Sequence, residues 1–145
     1  MTIEEILTKW ETEAKIDMSN ISKEAANIPM LHISYYRMYV NESLRVEKIR
    51  ANIARLRNLK KRYYRGELDQ NELKEHNWPQ FNLKILKSEI QDYLDADDDI
   101  INENLKLVYA ERKVKTLEDI VKEITFRGFK LNTIVEYEKF KAGTH

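Results

Sequence analysis

Among its 145 residues the sequence has no cysteine, only three glycines and only two prolines. Without thiols there is no disulfide framework, no cysteine nucleophile and no Cys-based zinc or iron–sulfur site, and the chain is compatible with a reducing compartment. So little glycine and proline leaves scant material for tight turns, hairpins or a glycine-rich phosphate loop. Long apolar runs are missing as well. The longest stretch free of charged side chains, Ala25 to Tyr36, is twelve residues, against the roughly 20 that a membrane helix needs. No membrane span is expected. The amino terminus, Met1-Thr2-Ile3-Glu4-Glu5, has no basic patch leading into an apolar run, so no secretory signal is expected either. Net charge is also lacking, since 25 basic side chains face 25 acidic ones.

Leucine, lysine, glutamate, isoleucine and arginine fill the space, and these are helix formers. The expectation is a single all-α domain. Thr2 and Glu5 have the spacing of a capping box, followed by Ile3, Ile6, Leu7, Trp10 and Ala14 at helical intervals. Asp17, Ser19, Asn20 and Ser22 mark a break before a short helical turn through Glu24-Ala25-Ala26-Asn27. Pro29 suits a first helical position, and nothing stops a helix from there to Gly66, a rod of roughly 55 Å. Val46, Ile49, Ile53, Leu56 and Tyr63 form a coiled-coil-like seam along it, with Lys60 in the one missing position. Gly66 to Pro79 is the least periodic stretch and reads as a loop. Leu83, Leu86, Ile90 and Leu94 mark a further helix, and Asp95, Asp97, Asp98 and Asp99 can cap the next. The apolar stripe of that next helix includes Ile101, Leu105, Val108, Leu117, Val121 and Ile124, and Gly128 is expected to end it. A closing helix carries Leu131, Ile134, Val135 and Phe140 and stops at Gly143. The layout is therefore helices with one basic helix over residues 1–66, a loop over 67–79, and carboxy-terminal helices over 80–145.

Signals for catalysis or metal binding are poor. The three histidines, His32, His76 and His145, are widely scattered, and there is no His-Glu-x-x-His. Asp95, Asp97 and Asp99 match the opening of a calcium loop, but Ile100 replaces its glycine and Lys106 its bidentate glutamate. Helix capping accounts for these aspartates better, so neither a metal nor a cofactor is expected. Asn20-Ile21-Ser22 and Asn41-Glu42-Ser43 match glycosylation acceptors, which carry no meaning without secretion.

Charge is where the sequence is informative. From Arg37 to Arg65 there are ten Lys/Arg against two Asp/Glu, whereas Glu89 to Glu103 holds seven acids and no base. Within the eleven residues from Arg55 to Arg65 lie six cations and two tyrosines. Lys48, Arg55 and Arg62 recur every seven residues, forming a row with steps of roughly 10 Å along a helix. After Glu47 no acid appears until Glu67, so i,i+4 partners are missing and the self-repulsion requires a counter-charge. Three sources remain open: a single-stranded nucleic acid, whose phosphates release counterions on binding; an acidic protein partner; or the acidic segment of the same chain. Tyr64 is a candidate for stacking on an unpaired base, and core packing suits Tyr63 better. No zinc finger, basic zipper or helix-turn-helix points to duplex reading.

Several short motifs carry a resemblance. Ile16-Asp17-Met18-Ser19, Glu24-Ala25-Ala26-Asn27, Met30-Leu31, Tyr63-Tyr64 with Gly66, Leu94-Asp95-Ala96-Asp97-Asp98-Asp99, Arg127-Gly128-Phe129 and Phe140-Lys141-Ala142-Gly143 resemble, in order and spacing, the UvsY family of recombination mediators from T-even-type phages. The resemblance implies an elongated all-helical protomer without enzymatic activity, assembled into a homo-oligomeric ring, a hexamer or heptamer, in the cytoplasm of an infected bacterium. It implies single-stranded DNA, the recombinase UvsX and the phage single-stranded-DNA-binding protein as partners. In that family a lysine and an arginine two residues apart, just before the tyrosine pair, contribute to DNA binding; here those positions are Asn58 and Lys60. The expected DNA-binding set is Lys48, Arg55, Arg57, Asn58, Lys60, Lys61, Arg62, Tyr64 and Arg65, and the expected assembly contacts are Leu105, Val108, Leu117, Val121 and Ile124. The rival expectation is a helical scaffold whose basic helix binds an acidic protein.

Overall fold

A computed structural model describes residues 1–143. Seven helices are found among them: α1 (Ile3–Glu13), α2 (Ile21–Ala26), α3 (Ile28–Tyr64), α4 (Gln70–His76), α5 (Lys87–Asp95), α6 (Asp98–Thr125) and α7 (Arg127–Lys141). There is no strand among the described residues, as the composition leads one to expect. No helix among them is long and apolar enough to cross a membrane.

The helix ends follow local chemistry. Thr2 Oγ1 accepts from the Glu5 amide at 3.1 Å and Glu5 Oε2 accepts from the Thr2 amide at 3.2 Å, so the capping box that opens α1 is formed. Asn20 caps α2 through the Lys23 amide. Pro29 sits one residue inside the start of α3, within the turn whose amides need no helical partner. Gly66 closes α3 with φ +72°: its amide donates to Tyr63 O and the Glu67 amide to Arg62 O, a paired pattern that requires a left-handed residue.

Three expectations are corrected. The stretch 67–79 contains α4, a seven-residue helix with a full capping box between Asp69 and Glu72; it is too short to show periodicity. Its left-handed end falls on Asn77, so no glycine announces it. Leu83 and Leu86 lie before α5, exposed on a non-helical segment, because their spacing reflects no buried face. Gly128 lies in the first turn of α7, and the break between α6 and α7 falls at Phe126.

The chain divides into two compact units. The first comprises Met1–Leu44 and the chain from Glu111 onward. Its core is Ile6, Tyr35, Leu117, Ile120 and Ile124, bordered by Trp10, Leu31, Met38 and Val121, with the Trp10 ring edge-on to Tyr35 at 5.5 Å. Arg127 is buried there and donates to Ala14 O at 3.1 Å, Lys15 O at 3.2 Å and Glu24 Oε2 at 2.9 Å, tying α7 to the end of α1 and to α2. The second unit is Arg45–Ala110. Ile90, Leu94 and Ile100 form its core with Leu56, Tyr64 and Ile85 at the margin.

Candidate nucleic-acid interface

The basic residues lie in the second unit, on the part of α3 that begins at Arg45. Val46, Ile49, Lys60 and Tyr63 are buried, with Ile53 and Leu56 half-buried. This is the predicted seam, Lys60 included. Opposite it, Lys48, Arg55, Asn58 and Arg65 are exposed, with Arg62 half-exposed beside them. At 100° per residue Lys48, Arg55, Arg62 and Arg65 fall within an arc of roughly 100° and cover roughly 26 Å of helix.

Lys60 departs from the expected DNA-binding set. Its ammonium lies 3.0 Å from Asp97 Oδ2 and 2.7 Å from Asp99 Oδ2, and 4.1 Å from the centre of the Trp78 ring. Asp97 is itself buried; its Oδ2 accepts from the Tyr64 hydroxyl at 2.5 Å and its Oδ1 from the Ile100 amide at 3.0 Å. Burial alone would raise the Asp97 carboxyl, but the bonds from Tyr64, Ile100 and Lys60 outweigh it and hold the group below the ordinary carboxylate range. The Tyr64 hydroxyl is pushed well above its usual value, first by burial and then by donating to Asp97. An ammonium enclosed by two carboxylates and an indole face has no room for a phosphate, so the structure assigns Lys60 to the fold of this unit.

Tyr64 moves the same way. Its ring packs against Phe81 at 5.1 Å, Tyr63 at 5.2 Å and Tyr93 at 5.4 Å. Its hydroxyl is committed to Asp97. Tyr63 is buried, donates to Pro79 O at 2.6 Å and lies 5.3 Å from Trp78, which is the packing role expected of it.

The remaining cations divide into tied and open. Arg62 pairs with Glu72 at 3.0 Å, joining α3 to α4. Arg57 donates to Gln91 Oε1 at 2.8 Å, and Gln91 passes a bond of 2.7 Å to Asp95. The acidic segment thus reaches the basic helix directly at Lys60 and through an amide at Arg57, so internal neutralisation accounts for part of the charge. It stops there. No ion pair among the described residues engages Lys48, Arg55, Lys61 or Arg65, and Arg55 has only the neutral Asn52 amide at 3.3 Å. Asn58 is exposed and offers an amide where the resemblance implies a cation.

The aspartate cluster acts as the cap of α6 and the anchor of Lys60; no group of three metal-ligating side chains is found among the described residues, and His145 lies outside them. Of the expected assembly residues, Leu105 and Val108 are exposed at 61% and 58%, whereas Leu117 and Ile124 are fully covered in the core of the first unit and Val121 borders it. A side chain enclosed by its own chain has no surface left for a second copy. At 100° per residue Leu105 and Leu117 point about 120° apart, so the single stripe read from the sequence is two faces of α6.

Residues 9–144 match the family described as "Recombination, repair and ssDNA binding protein UvsY". This chain belongs to the UvsY family. It is 26% identical over 145 residues to the recombination protein uvsY of Enterobacteria phage T4, covering 99% of both chains. Two crystal forms of the bacteriophage T4 recombination mediator protein UvsY have the same fold: one matches with a TM-score of 0.80 at 23% identity over 98% of both chains. The other matches with a TM-score of 0.79 at 20% identity, over 97% of this chain and 99% of that one.

Membership also gives the short motifs a structural meaning, because they meet in pairs. Glu24 and Arg127 form an ion pair of 2.9 Å in the first unit, close to the Asp17–Ser19 turn, whose 3.0 Å amide bond precedes α2. Tyr64 and Asp97 meet in the second. Part of the signature thus lies in contacts that hold each unit together, while its Met18, Met30 and Phe129 are exposed.

Proposed function

We propose that this protein is a non-enzymatic recombination mediator that binds single-stranded DNA along the open flank of α3 and promotes loading of the phage recombinase UvsX onto strands covered by single-stranded-DNA-binding protein. The observation that carries the reading is the set of cations without ion-pair partners, Lys48, Arg55, Lys61 and Arg65, on a stretch of helix whose Arg57, Lys60 and Arg62 are held by Gln91, by Asp97 and Asp99, and by Glu72. Four cations per chain supply a counterion-release slope of about −3 in log K against log salt, sequence-independent and weak at physiological salt. Homo-oligomerisation into a hexamer or heptamer multiplies that grip, since each later contact along a strand is effectively intramolecular. The exposed stripe Ile101, Leu105 and Val108 on α6, apolar and spaced at i, i+4 and i+7, supports a self-association surface. Holding a strand along several copies strains its contacts with a competing binding protein and leaves it presented to the recombinase, in the cytoplasm of the infected host. ATP turnover by the recombinase on a strand pre-coated with the binding protein tests the role. The protein should shorten the lag before turnover, and Lys48→Ala/Arg55→Ala should restore it; a lag unaffected by the protein would refute mediation.

A further inference from the structure

A second cation-lined surface lies in the same unit, and of its three cations only Arg65 belongs to the helical row. The end of α3 and the segment 80–87 enclose an open cleft of about 730 Å³, within the roughly 300–1,000 Å³ common for ligand sites. It is lined by Arg65, Lys84 and Lys87, all exposed and none in an ion pair among the described residues, and by Phe81, whose half-exposed ring packs against Tyr63, Tyr64 and Tyr93. Residues 80–85 are in no helix, and no backbone–backbone bond among the described residues engages their amides. One carboxylate, Glu67, opposes them. Three cations beside aromatic rings are the chemistry of a nucleotide held by its phosphates and stacked by its base.

We propose that this cleft is a second single-stranded-DNA subsite, in which Arg65, Lys84 and Lys87 hold phosphates and Phe81 stacks a base. The proposal rests on the reading of α3 as a DNA-binding helix and extends it. Arg65 belongs to both the helical row and the cleft, so a strand that follows Lys48 and Arg55 to Arg65 meets Lys84 and Lys87 next. Single-stranded DNA is the committed occupant because stacking surface and cations occur together; an acidic protein segment uses the cations and gains nothing from the ring.

The test uses the full chain with a poly-dT oligonucleotide carrying 5-iodouracil, titrated across a salt series and then photo-crosslinked. Each lost phosphate contact removes about 0.7 released counterions, so Lys84→Ala/Lys87→Ala should bind about 25-fold more weakly at about 0.1 M salt, with a slope shallower by about 1.4. Glu67→Gln should tighten binding about five-fold, a direction no loss of structure produces. The crosslink should fall on the peptide containing Phe81. Wild-type affinity and slope in the double lysine variant, with crosslinks only along α3, would overturn the subsite while leaving the helical row intact. No binding by the wild-type protein would overturn both. Unchanged DNA binding with lost recombinase binding would overturn the subsite in favour of an acidic protein partner.

Discussion

Lys60→Met separates the structural reading of the tyrosine-flanking basic motif from the DNA-contact reading. The Lys60 side chain is 7% exposed and that of Asp97 3% exposed, so the substitution leaves a carboxylate in a nearly water-free site without its cation. Removing one partner of a buried pair costs roughly 3–5 kcal/mol. The lower figure applies, because Tyr64 and the Ile100 amide still donate to Asp97 and a methionine keeps the apolar stem against Trp78. With an unfolding entropy of roughly 2.1 cal/mol/K per residue over 145 residues, about 3 kcal/mol lowers Tm by about 10 °C. Thermal unfolding followed by circular dichroism reads this, and tryptophan emission reports Trp78 losing its cation. The salt slope for poly-dT, measured well below the transition, should match the wild type. A Tm within about 2 °C of wild type, together with a slope shallower by about 0.7, would refute the reasoning and return Lys60 to the DNA contacts.

The same cluster predicts two pH limits. Asp97 titrates lower in the fold than in the unfolded chain, so its contribution is complete above an ordinary carboxylate value of about 4 and is lost as pH falls through its depressed value; Asp97→Asn should flatten the acid limb of a urea-unfolding series. Tyr64 titrates higher in the fold, so its contribution is complete below about 10 and is lost as pH rises through its raised value; Tyr64→Phe should flatten the alkaline limb. On α6, Leu117→Asp places a charge in a fully buried site and should unfold the first unit, with a loss of several kcal/mol by urea titration. Leu105→Asp, at an exposed position, should keep the circular dichroism spectrum and reduce the sedimenting mass in ultracentrifugation.

Much of the helical frame was legible because local chemistry set it. The Thr2/Glu5 box, the uninterrupted run from Pro29 and the stop at Gly66 each depend on residues within a turn or two, and each is formed. What escaped was set from a distance. Helix α4 is held by Glu72, which serves both its own cap and Arg62 ten residues earlier. Gly128 read as a stop because glycine commonly ends helices, yet the chain breaks at Phe126, where buried Arg127 anchors the start of α7 on α1 and α2. Leu105 and Leu117 read as one stripe, though only tertiary packing decides which of two faces of α6 is covered.

The site was half legible for a similar reason. The charge segregation pointed to the basic helix, and of the seven-residue row the structure leaves Lys48 and Arg55 exposed and outside any ion pair among the described residues while Arg62 pairs with Glu72. Burial of Lys60 had a signal that could have been weighed more: it fills a seam position otherwise apolar, in a chain whose Asp95 to Asp99 run has an excess of carboxylates and no nearby base. Lys84 and Lys87 had none, because two lysines flanking the leucines of an expected amphipathic helix look like any solvated face.

The central claim, that open cations on α3 grip single-stranded DNA, is tested most directly by titrating poly-dT from low to moderate salt with the wild type and with Lys48→Ala/Arg55→Ala. The account predicts a straight line of log K against log salt for the wild type, a slope shallower by about 1.4 for each chain engaged in the variant, and the same Tm for both. Equal slopes in the two proteins, or no binding by the wild type at low ionic strength, would contradict it.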